Sequence, residues 1–145
     1  MNSVKGLSYL DVEKPKIVLF SGKGGVGKTT CATATAVHFA KKGLKTLLIS
    51  SDPQPSLSDI LGVNVRGAVT PVGALNNLSA VELDYDLIVE KWKEKFGTEV
   101  YEVISSFLPV GGEIIDYVAG APGIDEEFAL SYVLDLYESG NYGVI

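Results

Sequence analysis

A glycine-rich stretch, residues 22–29, carries the side chains of this sequence best placed to do chemistry. It reads Gly-Lys-Gly-Gly-Val-Gly-Lys-Thr and fits the pattern G-x-x-x-x-G-K-[ST]. Glycines let the backbone turn tightly and aim its N–H groups at an anion, and a helix that opens at Thr29 adds unpaired amides and a partial positive charge. Lys28 would neutralise the β- and γ-phosphates, the Thr29 hydroxyl would ligate Mg²⁺, and Thr30 would touch the α-phosphate. The spacing therefore predicts a nucleoside triphosphate site, and we expect Mg-ATP. The predicted nucleotide-binding residues are Gly22, Lys23, Gly24, Gly25, Val26, Gly27, Lys28, Thr29 and Thr30, with Thr29 also the metal ligand.

The same glycines admit a second interpretation. Gly22, Gly24 and Gly27 also satisfy G-x-G-x-x-G, the loop of dinucleotide-binding folds, and Asp52 could be the acid that holds a ribose. Lys28 and the hydroxyl after it favour the triphosphate, because a pyrophosphate bound on helix amides does not require a lysine there. A glycine turn without a ligand is disfavoured as well, since Lys23 and Lys28 would repel each other across an empty loop.

The elements around the loop predict a parallel sheet. Two short runs, residues 17–20 and 46–49, are apolar without alternation, which is typical of strands covered by helices on both faces. The first run ends at the glycine loop and the second at Ser50-Ser51-Asp52. Between them, residues 29–42 have a helical pattern that Gly43 terminates. Strand, loop, helix and strand in this order predict a βαβ unit with a right-handed crossover.

The rest of the chain predicts one more strand and several helices. We expect a turn-rich segment at 62–77, a strand at 78–83, a helix at 85–96 that Gly97 interrupts, and helix again at 100–108. A last helix starts near 122–124, and the apolar run 142–145 begins another strand. The predicted fold class is α/β, a P-loop NTPase with a mostly parallel sheet flanked by helices and the start of a helical subdomain. The predicted boundaries are an N-terminal extension at 1–15 and a partial ATPase domain at 16–145, with the helical segment at about 84–121.

Composition narrows the partners and the compartment. The net charge is −6 with a single arginine, so no nucleic-acid partner is expected. No apolar run reaches the length of a membrane span, and the first 14 residues lack a secretory signal, which favours a cytoplasmic protein. The lone Cys31 is predicted to be a small buried hydrophobe, and the lone His38 a packing or surface residue rather than a catalytic one.

Residues 23–30 resemble the deviant Walker A loop of the family that contains MinD, ParA, the nitrogenase iron protein and the arsenite-pump ATPase ArsA, in which an early extra lysine stands where Lys23 stands here. Residues 52–59 resemble the switch I segment of the ArsA and tail-anchored-protein-targeting ATPases. Residues 76–84 and 122–126 resemble the same branch. The likeness runs from Lys16 to the end of the sequence.

The resemblance implies roles that spacing alone does not provide. It makes Asp52 the catalytic carboxylate that orients the attacking water, and Lys23 a catalytic cation that reaches the phosphates of the neighbouring subunit. From the residues alone, Asp52 follows a predicted strand beside the loop and should face the ligand crevice, although it could instead cap the turn before Pro53. Asp59 could belong to a switch network or cap a short turn at 60–62. Pro55 departs from the family, where a histidine is frequent.

The resemblance also implies an assembly and leaves the process open. The expected partners are a second copy or a tandem half, together with a membrane-protein client or a membrane pump subunit. The second switch, an Asp-Thr-Ala-Pro segment, is expected beyond Ile145, so we expect weak ATP turnover from these 145 residues. Residues 107–121 are a candidate client-facing surface, while Trp92 is expected in the core. The alternatives are a ParA- or MinD-like positioning ATPase, which the acidic balance disfavours, and a nucleotide-binding scaffold without turnover.

Overall fold

A computed structural model describes residues 16–52 and 56–145, which form a small α/β fold. The predicted N-terminal extension at 1–15 and residues 53–55 of the switch I segment lie outside the described residues. The elements in chain order are α1 (Lys28–Lys41), β1 (Thr46–Ser50), α2 (Leu57–Leu61), β2 (Thr70–Pro71), β3 (Leu78–Glu82), α3 (Tyr85–Phe107), α4 (Ile114–Ala119) and α5 (Ile124–Glu138).

The sheet is mixed, with strand order β1-β3-β2. Strands β1 and β3 run parallel, with Leu48 opposite Ala80 and Ser50 opposite Glu82, whereas β2 pairs antiparallel with β3. Beyond β1, Val144 forms parallel bridges to both Thr46 and Lys16. The α/β class expected from the sequence is confirmed. The described residues show three strands and three isolated parallel bridges rather than a full parallel sheet.

The prediction of a regular strand at 17–20 is wrong. Only Lys16 forms a bridge, and the pairing ends where the Val18 N–H donates to the Ile145 carbonyl at 2.8 Å. Leu19 is 79% exposed, because no strand in the described part of the chain lies beside it. The segment is therefore an extended lead into the glycine loop. The segment predicted as turn-rich, 62–77, contains the short edge strand β2, where Pro71 is tolerated since an edge position needs no N–H donor.

Both faces of β1 are buried, as the non-alternating pattern predicts. Leu48 belongs to a cluster under α1 and α2, with Ala36, Leu57 and Ala80. Leu47 belongs to a second cluster on the opposite face. That cluster also contains Val81, Leu83, Ile88, Trp92, Ala119, Phe128 and Ala129. Helices α3, α4 and α5 thus pack against one face of the sheet, and Trp92 is a core residue, as expected.

Helix α3 is continuous where an interruption was predicted. It runs through Gly97, whose position is buried, and a Cβ there would meet Cγ2 of Ile115 at 3.5 Å. An interior glycine costs a helix only about 1 kcal/mol relative to alanine, so packing of α3 against α4 outweighs it. The interruption predicted from the glycine is therefore wrong.

Helix α1 confirms the predicted helix to within one residue, but Cys31 does not occupy the predicted buried position. Its side chain lies on the exposed side of α1, while Ala36, Phe39 and Ala40 face the core. Helical periodicity explains the error, because Cys31 lies on the side of α1 away from Ala36 and Ala40. No helix in the described residues is long and apolar enough to cross a membrane.

Candidate nucleotide site

The glycine loop turns through three glycines with positive φ, the first of which is Gly22 at φ 154°. Gly25 has φ 77° and Gly27 has φ 89°, conformations that side chains with a Cβ rarely adopt. Gly27 also begins α1, since its carbonyl accepts the first helical bond from Cys31 N–H at 3.0 Å. A Cβ at Gly24, Gly25 or Gly27 would meet nothing within 4 Å. Gly25 and Gly27 are thus needed for backbone conformation, and the space beside the loop is open.

Lys28 folds back over its own loop. Its Nζ donates to the Lys23 carbonyl at 3.2 Å and lies 3.9 Å from Oδ2 of Asp52. Both side chains are partly exposed, at 24% for Lys28 and 36% for Asp52, so this long ion pair contributes little to stability. An ammonium held by one carbonyl oxygen and a long ion pair can exchange these partners for the oxygens of a bound anion.

Thr29 lies beside Ser56, the first described residue after Asp52. The Ser56 hydroxyl donates to Oγ1 of Thr29 at 3.5 Å, across 27 positions of sequence. Asp52 lies at the carboxyl end of β1, where its N–H donates to the Ser50 hydroxyl at 3.4 Å. A hydroxyl with a carboxylate and a second hydroxyl nearby presents hard oxygen ligands of the kind that Mg²⁺ prefers. The donor set therefore fits a magnesium ion bound together with phosphates.

The buried carboxylate of Glu82 holds the residues that follow Ser56. Glu82 is 4% exposed, and its Oε1 accepts from Leu57 N–H at 2.6 Å while its Oε2 accepts from the Ser58 hydroxyl at 2.7 Å. Burial alone would raise the pKa of Glu82. The hydrogen bonds from the Ser58 hydroxyl and from backbone N–H groups of residues 56–58 outweigh burial, and the pKa lies below the usual 4.5. Glu82 is therefore ionised at neutral pH.

One cleft of about 460 Å³ contains the polar groups of the site. Lys28, Thr29 and Asp52 lie along it, together with Asp125 and Glu126 from the first turn of α5. Much of the remaining lining is apolar and comes from residues 17–20, β1, and Ala129, Leu130 and Val133 of α5. The phosphate loop thus opens onto a mostly apolar cleft between the sheet and α5.

The structure brings together some of the predicted site residues and leaves others outside the cleft lining. Lys28, Thr29 and Asp52 share the cleft, whereas Lys23, Val26 and Thr30 are exposed. Their roles toward a nucleotide stay predictions. Sequence reasoning missed Ser56 and Glu82, which act through contacts made across the fold. A glutamate at the end of a largely apolar strand was the available signal for Glu82, since a buried carboxylate needs hydrogen-bond partners.

Comparisons with known proteins identify the family to which the chain belongs. The model of the ArsA ATPase family, described as anion-transporting ATPase, matches residues 15–145. A putative arsenical pump-driving ATPase of Halobacterium salinarum is 37% identical over 136 residues, covering 92% of this chain and 20% of the relative. ATPase GET3C of Arabidopsis thaliana is 35% identical over 144 residues, covering 92% of this chain and 37% of the relative. The chain thus spans between a fifth and two fifths of the length of these relatives.

Proposed function

Because the chain belongs to the anion-transporting ATPase family, we propose that it binds Mg-ATP on residues 22–30 and supplies the phosphate-binding part of an ATPase. The observation that carries the proposal is the meeting of Lys28, Thr29 and Asp52 in one cleft at the open side of the glycine loop. Lys28 would leave the Lys23 carbonyl for the β- and γ-phosphates. Thr29 would ligate the magnesium ion, which neutralises charge that develops during phosphoryl transfer.

Asp52 is the proposed positioning group for the attacking water. It lies at the carboxyl end of β1, where ligands bind in open α/β sheets, and its carboxylate is within 3.9 Å of the Lys28 ammonium. Phosphoryl transfer depends mainly on positioning and charge stabilisation, so a carboxylate held beside the γ-phosphate suffices for this role. Lys23 is the proposed cation that acts in trans, because it is exposed at the outer part of the loop.

The proposed process is a switch of a dimer or tandem pair that drives a membrane-associated step. An apolar surface at the junction of α3 and α4 supports a membrane-protein client: Phe107 is 82% exposed, Leu108 56% and Tyr117 81%. These residues fall within the predicted client-facing segment 107–121. Large exposed aromatic and aliphatic side chains are common at interaction sites. Delivery of a membrane protein and energising of a pump are both compatible with this surface.

Calorimetric titration of the chain with Mg-ATP tests the proposal. We expect binding by the wild type and a loss of affinity of about 10- to 100-fold for Lys28→Ala, the range for a hydrogen bond to a charged group. Lys41→Ala, which removes an exposed lysine at the other end of α1, is the matched control and should bind like the wild type. Equal affinity of the wild type and Lys28→Ala would overturn the proposal.

A further inference from the structure

Glu82 caps α2 from a different element of the fold. Ser56, the N-cap residue of this helix, makes no side-chain capping hydrogen bond. The Glu82 carboxylate provides the cap instead, by accepting from the Leu57 N–H and the Ser58 hydroxyl. Leu57 is fully buried beneath the cap, so the first turn of α2 is fixed at both its backbone and its side chain. A five-residue helix is too short to be stable on its own, and its position therefore depends on these contacts.

The contact between residue 82 and α2 requires two hydrogen-bond acceptors on one side chain. The Ser58 hydroxyl oxygen already accepts from Val65 N–H at 3.1 Å, so its hydrogen has to be donated to an acceptor. A carboxylate accepts from Leu57 and Ser58 at once, whereas a glutamine in the same pose would present a donor to one of them. Burying a charge costs several kcal/mol, which a group used only for packing would not require. The carboxylate is thus matched to holding α2 in one position.

The position of α2 determines where Ser56 lies. Ser56 immediately precedes Leu57, and its hydroxyl reaches Oγ1 of Thr29, the predicted magnesium ligand. Ser50, at the end of β1, is paired with Glu82 in the β1–β3 register, so the end of β3 contacts both the end of β1 and the start of α2. We propose that Glu82 is a positioning residue for the metal side of the nucleotide site, acting by fixing Ser56 beside Thr29. This inference rests on the proposed function, because it assigns Glu82 a role in Mg-ATP binding.

The test compares the ATP dissociation constant in excess EDTA with that in excess Mg²⁺. Wild type should bind ATP more tightly with Mg²⁺, and Glu82→Gln should reduce this magnesium enhancement about tenfold, the lower end of the effect of groups that hold a metal ligand in place. Affinity in EDTA should stay near that of the wild type, because Lys28 is untouched. Asp84→Ala is the matched control: it removes a carboxylate two residues further on, which caps α3 through Leu87 N–H at 2.8 Å.

Asp84→Ala should lower the midpoint of urea denaturation, because it removes the cap of α3, and should leave the magnesium enhancement unchanged. Ser58→Ala provides a milder variant should Glu82→Gln fold poorly, and we expect it to lower the enhancement in the same direction. Without nucleotide, hydrogen exchange of the α2 amides should accelerate in Glu82→Gln while exchange in β1 stays unchanged.

The outcomes separate this inference from the proposed function. Absence of ATP binding by the wild type would overturn both. Wild-type binding together with an unchanged magnesium enhancement in Glu82→Gln and Ser58→Ala would overturn the role of Glu82 alone. A loss of enhancement equally large in Asp84→Ala would also overturn it, since general destabilisation would then explain the effect.

Discussion

Gly24 and Gly25 are neighbours in the phosphate loop and differ in backbone conformation, not in surroundings. A Cβ at either would meet nothing within 4 Å, but only Gly25, at φ 77°, has a positive φ. Gly25→Ala should therefore lower the free energy of unfolding by about 1–2 kcal/mol, the cost of placing a Cβ in the left-handed region. Gly24→Ala, the matched control, should be close to neutral. Urea denaturation measures both, and equal effects would contradict the loop geometry.

Glu82 gives the stability of the chain a pH dependence of known sign. Its pKa is below 4.5 in the folded protein, so its contribution is present above the unfolded pKa and is lost as pH falls through the folded pKa. The stability advantage of the wild type over Glu82→Gln should be full near pH 7 and should shrink in the acid range below 4.5. An advantage independent of pH would contradict an ionised Glu82.

Among the helices, α3 runs without interruption through Gly97, and Gly97 lies beside Ile115 of the neighbouring helix α4. Gly97→Ala should raise the free energy of unfolding by about 0.5–1 kcal/mol, because it removes a glycine from a helix interior. The new Cβ would make an ordinary contact with Ile115 at 3.5 Å. Gly97→Leu should destabilise, since its larger side chain would separate α3 from α4. Thermal unfolding measures both variants, and a destabilised Gly97→Ala would show that α3 and α4 pack more closely than described.

The sequence predicted correctly those helices and strands whose apolar pattern does not depend on contacts with distant parts of the chain. Helix α1, strand β1 and the start of α5 follow from apolar periodicity and glycine terminators, and the glycine loop follows from its spacing. The errors arose where tertiary pairing decides. Residues 17–20 are strand-like in sequence but pair only as far as Val18, and β2 exists because β3 lies beside it. The hydrogen bonds between Glu82 and α2 join residues 24 or more positions apart, and the local sequence pattern does not predict such contacts.

At the scale of the whole molecule, the site is proposed to be completed by a second subunit. If Lys23 acts across the interface, Lys23→Ala should keep ATP affinity near that of the wild type and abolish phosphate release by the assembled ATPase. Mixing equal amounts of Lys23→Ala and Asp52→Asn subunits should restore about a quarter of wild-type turnover, because about half of the dimers are then heterodimers and each heterodimer has one of its two sites intact. Proven heterodimers that stay inactive would contradict action in trans, as would a Lys23→Ala variant that loses ATP binding as severely as Lys28→Ala.

Mapping the amide resonances that respond to Mg-ATP tests most directly whether the glycine loop is a nucleotide site. The N–H groups of residues 22–30 should shift most on titration, and those of Ser56 and Leu57 should shift when Mg²⁺ accompanies ATP. The distant end of α3 near Phe107 should stay unchanged, and Lys28→Ala should weaken the response at the loop. Binding that shifts residues of the apolar cleft or of α3 while residues 22–30 stay unperturbed would contradict the account.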